Sequence, residues 1–99
     1  MKSITSIASS GMNAAMLTMG VSAHNIANAV TPAFRRQLVA QQEQAGGGVS
    51  ASVTQAEDVG SDLATDVVQQ MTALYAFRAN LRTVQVEHEV LGTLLDIRA

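Results

Sequence analysis

The sequence predicts a mainly α-helical fold: two long antiparallel amphipathic helices forming a coiled-coil-like hairpin, with a short β-hairpin or loop between them. Three observations carry this. Apolar residues recur at helical spacing near both ends of the chain. The middle alternates apolar with polar residues around a glycine triplet. Phe34, Tyr75 and Phe77 are the aromatic residues, and the remaining apolar content is Ala, Val, Leu, Ile and Met, which suits helix-on-helix packing better than a β-sandwich. Residues 1–99 read as one domain, with an N-terminal helix at 3–28, a linker at 29–60 and a C-terminal helix at 61–97.

In the first helix Ile4, Ala8, Met12, Ala15, Met19, Ala23 and Ile26 follow one another at steps of three and four. Ser3 is placed to cap its start. Over 3–28 it would extend about 39 Å. Gly11 and Gly20 each weaken it by up to ~1 kcal/mol relative to Ala, so it needs a partner to be stable.

The string "NIANAVTP" ends it. Asn25 and Asn28 tolerate the left-handed conformation found at helix C-termini, and Pro32 drives Thr31 out of the helical region. Val49, Ala51 and Val53 then alternate with Ser50, Ser52 and Thr54, and "AGGG" at 45–48 joins them to a second candidate strand, "RRQLVAQQEQ". In the second helix Val67, Gln70, Leu74, Phe77, Leu81, Val84, His88, Leu91 and Leu95 keep heptad spacing without a break. Asp62 is its expected N-cap and Asp66 lies in the first turns, where a carboxylate suits the helix dipole.

Net charge is −2, so there is no basic field for nucleic acid. The absence of cysteine excludes disulfides and thiolate metal sites. Residues 3–23 carry no charge and end in "VSA", yet Ser and Thr interrupt them too often for a cleaved signal peptide or a membrane span. His24 and His88 lack the i, i+4 partner of a metal site, and His88 reads as a partly buried seam histidine. Glu57, Asp58, Asp62 and Asp66 fail the calcium-loop pattern, because its sixth and twelfth positions fall on Leu63 and Gln69. No nucleophile elbow or phosphate loop is present. The reading is therefore of a non-enzyme with no catalytic, cofactor or metal residues. Met12, Met16 and Met19 point to helix contact. The expected assembly interface is Leu74, Phe77, Leu81, Val84, Leu91 and Leu95 on the second helix, with Met12, Met19 and Ile26 on the first.

The stretch "SGMNAAMLTMGVSAHNIANAVTPAFRRQ" resembles the N-terminal motif of the flagellar basal-body rod protein family, through Asn25, Ile26, Ala27, Asn28, Thr31 and Pro32. Phe34 and Arg35 are conservative replacements, and Ala33 stands where the family usually has glycine. The C-terminal segment is similar as well, through Ala79, Asn80, Leu91, Gly92, Leu94 and Leu95, with "VGSD" in place of the family's asparagine-valine-aspartate. The resemblance covers about two-thirds of the chain and is closest to short, proximal-rod-like members. It implies a structural subunit of the periplasmic rod, exported by the flagellar type III apparatus without a cleaved signal. Its partners would be further copies of itself, other rod proteins and the export apparatus, with no nucleic acid and no stable membrane insertion. The competing reading is a soluble helical-hairpin binding or adaptor module, closed as a dimer or four-helix bundle.

Overall fold

The computed structural model describes residues 3–98 and has the expected architecture. Helix α1 (Ile4–Ala27) is followed by strands β1 (Gln37–Glu43) and β2 (Val49–Gln55) and by helix α2 (Leu63–Arg98). The molecule is long and flat, 64 × 25 × 13 Å. Its central element is α1, which packs against both α2 and the hairpin.

Each helix starts where the sequence expects. The Ser6 N–H donates to Ser3 Oγ at 3.1 Å, and the Thr65 N–H donates to Asp62 Oδ1 at 3.2 Å. Each cap satisfies a backbone donor that the first helical turn leaves without a partner. The stop of α1 differs from the expectation. Asn28 has φ −103°, outside the left-handed region. It closes the helix through its side chain instead, with Nδ2 donating to the His24 carbonyl at 2.9 Å and Oδ1 accepting from Thr31 Oγ1 at 3.2 Å. Asn25 is not part of the stop. It lies inside the last turns of α1 and is completely buried.

The left-handed residue of this segment is Ala33, at φ 57°. An L-residue in that conformation costs roughly 1–2 kcal/mol. The turn is held nonetheless by its surroundings. The Gly60 N–H donates to the Phe34 carbonyl at 2.9 Å, and the Phe34 ring stands 5.5 Å from that of His24.

The linker forms the hairpin. Strands β1 and β2 pair antiparallel, from Gln37 opposite Gln55 to Glu43 opposite Val49. The glycine triplet makes the turn possible, because Gly46, Gly47 and Gly48 all have positive φ, a conformation that glycine enters without steric cost. A two-stranded ribbon is marginal alone. Here α1 holds its tip: the Val49 N–H donates to Ser10 Oγ at 3.1 Å, and Ser10 in turn donates to the Ile7 carbonyl at 2.7 Å.

Candidate assembly surface

The contact between the two helices is built mainly from small and polar residues, joined on α2 by Phe77 and Val84. On α1 the inward positions are Ala8, Gly11, Ala15, Thr18, Ser22 and Asn25, a run with steps of three and four. On α2 they are Asp66, Gln70, Ala73, Phe77, Asn80, Val84 and Glu87, again at heptad spacing. Three pairings fix this register. The Asn25 amide reaches Asp66, Gly11 lies directly under Asn80, and Thr5 Oγ1 donates to Glu87 Oε2. A Cβ added at Gly11 would stand 2.7 Å from Asn80 Nδ2, so glycine is what admits this close approach.

This corrects the expected seam. Gln70, Phe77 and Val84 are shared with it, but Asp66, Ala73, Asn80 and Glu87 take the places expected of Val67, Leu74, Leu81 and His88. His88 is exposed rather than partly buried. On α1 the stripe is likewise rotated: Ala8 and Ala15 are buried, Met12, Met19 and Ile26 are half-buried, and Ile4 and Ala23 are exposed. The physical reason is steric and polar together. Small side chains let the helix axes come close, and the close contact seals the polar groups of Asn25 and Asp66 from water.

That polar junction ties three elements together. Asn25 Nδ2 donates to the Gln37 carbonyl at 2.9 Å and to Asp66 Oδ1 at 3.3 Å, while Asn25 Oδ1 accepts from the Gln37 N–H at 2.9 Å. Arg36 completes it with a salt bridge to Asp66, whose side chain is buried. The hydrogen bond to Asp66 holds the Arg36 guanidinium above its ordinary pKa. Removing either partner would leave an unpaired charge or polar group inside, which is far costlier than the pair is stabilising. Asn25 thus fixes where α1, β1 and the start of α2 meet. Sequence reading placed Asn25 in a motif but missed Arg36 and Gln37. The signal available was the coincidence of a small-residue heptad on α1 with a carboxylate early in α2.

The rotation leaves large apolar side chains outside. Leu63, Val67, Met71, Leu74 and Leu81 form a stripe along α2, at steps of three, four and seven, and all are exposed. Leu81 retains 40% of its accessible surface. Leu91 and Leu95 are exposed further on, while Phe77 and Val84 are half-buried within the intrachain contact. Of the expected interface residues, Leu74, Leu81, Leu91 and Leu95 therefore lie on the open surface, Phe77 and Val84 lie half-buried in the intrachain seam, and Met12, Met19 and Ile26 are half-buried on α1. An exposed apolar stripe of this length is characteristic of an interaction surface.

A second feature is an open groove of about 990 Å³ between the hairpin and α2, floored by Gly11, Ala14, Ala15 and Thr18. Among the described residues no group of three or more His, Asp or Glu is placed to hold a metal ion. Among the same residues no helix is long and apolar enough to cross a membrane. No protein-family model matches the sequence, and no curated protein matches it.

Proposed function

We propose that this chain is a structural subunit of the bacterial flagellar basal-body rod, self-assembling by coiled-coil packing of its terminal helices after type III export. The observation that carries the reading is the division of α2 into two faces. One is mainly small and polar and is used up inside the chain; the other, Leu63, Val67, Met71, Leu74 and Leu81, is apolar and exposed. A subunit made to join others needs that second face, whereas a self-sufficient domain of this size would bury it. The resemblance at Asn25–Asn28, Thr31, Pro32, Ala79, Asn80, Leu91 and Gly92 supplies the flagellar context, and its two motifs lie on α1 with its exit and on α2. No step of chemistry is assigned to it.

The test is made in motile cells carrying a tagged chain as their sole copy. The chain is expected in purified basal bodies with its N-terminal segment uncleaved, and its loss abolishes swimming in soft agar. A mature N-terminus near His24, or full motility without the chain, would overturn the proposal.

A further inference from the structure

The backbone bonds of the hairpin alternate, and the alternation decides which way each group of β1 points. The Ala56 N–H donates to the Arg36 carbonyl at 2.7 Å, and the Gln44 N–H donates to the Gly48 carbonyl at 3.0 Å. In the register that sets Gln37 opposite Gln55, the residues of β1 bonded to β2 are therefore Leu38, Ala40 and Gln42. The N–H and C=O groups of Gln37, Val39, Gln41 and Glu43 point the other way, along the outer edge of the ribbon.

Gln37 already has a neighbour on that edge. The Asn25 carboxamide donates to its carbonyl at 2.9 Å and accepts from its N–H at 2.9 Å. Two bonds exchanged with one residue is the antiparallel pattern, so the Asn25 side chain stands where a third strand would place a residue. Beyond it the outward N–H and C=O groups of Val39, Gln41 and Glu43 have no partner among the described residues. An open edge of this kind is a template for pairing with another chain.

The edge borders the groove of about 990 Å³. Leu38 and Val39, on opposite faces of β1, both line it. Its far wall is α2, through Gln69, Thr72 and Asn80, and no Cα atom of β1 lies within 8 Å of one in α2. A neighbouring strand stands about 4.8 Å away, so there is room for one between them. The floor of Gly11, Ala14 and Ala15 admits short side chains. Glu43 is the one charged side chain lining the groove among the described residues.

We propose that this groove binds an extended segment of another protein, which joins β1 as a third, antiparallel strand across Val39, Gln41 and Glu43. Main-chain hydrogen bonds hold such a strand, and its alternate side chains select it. Those facing α1 are small, and the one opposite Glu43 is lysine or arginine. None of Leu63, Val67, Met71, Leu74 and Leu81 lines the groove, so this site is separate from the α2 stripe and stands or falls apart from it.

The probe is the acetylated, amidated peptide Thr-Lys-Val-Ala-Val-Ala-Thr, added at millimolar concentration to the full chain. Laid antiparallel, it sets its lysine opposite Glu43 and its alanines opposite Gln41 and Val39, and it ends short of Asn25. Amide hydrogen exchange followed by NMR reads the edge directly. Exchange of Val39, Gln41 and Glu43 is expected to slow by about fivefold or more, while Leu38, Ala40 and Gln42, already bonded to β2, change little. The same peptide N-methylated at its two alanines loses the donors that face β1 and should give no protection. N-methylation at its two valines, whose N–H groups face away, should preserve it. Glu43→Lys should weaken the unmodified peptide by about threefold or more, and less so at high salt. No slowing at the three edge amides would overturn the proposal, as would equal protection by the alanine-methylated peptide. Edge protection that rises with chain concentration in the absence of peptide would place a second copy on β1 and overturn the choice of partner.

Discussion

Replacing Asn25 by aspartate changes one atom in the polar junction and reverses its sense. The oxygen that accepts from the Gln37 N–H is kept. The nitrogen that donates to the Gln37 carbonyl at 2.9 Å and to Asp66 Oδ1 at 3.3 Å becomes a carboxylate oxygen. Two buried acceptors lose a donor, at about 1–3 kcal/mol each. A second negative charge also comes to lie beside Asp66, and Arg36 is the single salt-bridge partner there among the described residues. We expect a loss of about 4 kcal/mol at neutral pH, out of a total that for a domain this size is of the order of 5–15 kcal/mol. At roughly 4–8 °C per kcal/mol the thermal midpoint falls by at least about 15 °C. The new carboxyl is disfavoured as an anion by burial and by Asp66, so its folded pKa is raised. The deficit relative to the parent chain is therefore largest at neutral pH and shrinks as pH falls through that raised value, where the protonated acid donates again. Asn25→Ala is destabilised too, but its deficit does not shrink in acid. Helix content followed by circular dichroism during thermal and urea unfolding, at pH 7 and at about pH 4.5, measures both. An Asn25→Asp loss below ~1 kcal/mol, or a deficit unchanged by acid, would refute the role assigned to Asn25.

Ala33→Gly relieves the left-handed φ of 57° at some entropic cost, and chemical denaturation should show a net gain of about 0.5–1 kcal/mol. Gly11→Leu drives a branched side chain into Asn80 across the helix contact and should cost about 1–3 kcal/mol in the same assay, through overpacking. The hydrogen bonds from Thr65 hold the Asp62 carboxyl below its ordinary pKa, so this cap is fully formed at neutral pH and is lost as pH falls through the lowered folded value. The amide protection factor of Thr65 should accordingly drop below about pH 4 in the parent chain and stay level in Asp62→Asn, whose capping oxygen does not titrate.

The architecture was legible in the sequence because its signals are local. Ser3 and Asp62 cap the helices, glycines 46–48 turn the hairpin, and the alternation at 49–54 forms a strand. The face that each helix presents was not legible. A heptad of large apolar residues looks like the seam, and here the seam is the small and polar run beside it. Hydrophobicity alone ranks Leu74 above Ala73 and Leu81 above Asn80. What reverses the order is close helix approach over Gly11 and the burial of Asp66 against Asn25 and Arg36, both of which join residues far apart in sequence. For the same reason Asn25 reads locally as a helix stop and acts as a long-range tie. An apolar stripe in excess of what the fold buries becomes visible once the contacts within the chain are known.

As proposed, this stripe on α2 is an assembly surface and not part of the fold. Leu81 sits on it, 40% exposed and outside the helix contact. The decisive measurement is light scattering of the parent chain and of Leu81→Asp across a hundredfold range of concentration, with a thermal melt of each at the lowest. The parent's mean mass is expected to rise with concentration while Leu81→Asp remains a monomer whose stability is within about 1 kcal/mol of the parent's, as for a substitution outside the core. If Leu81→Asp associates as the parent does, or if it unfolds, the stripe is not the assembly surface.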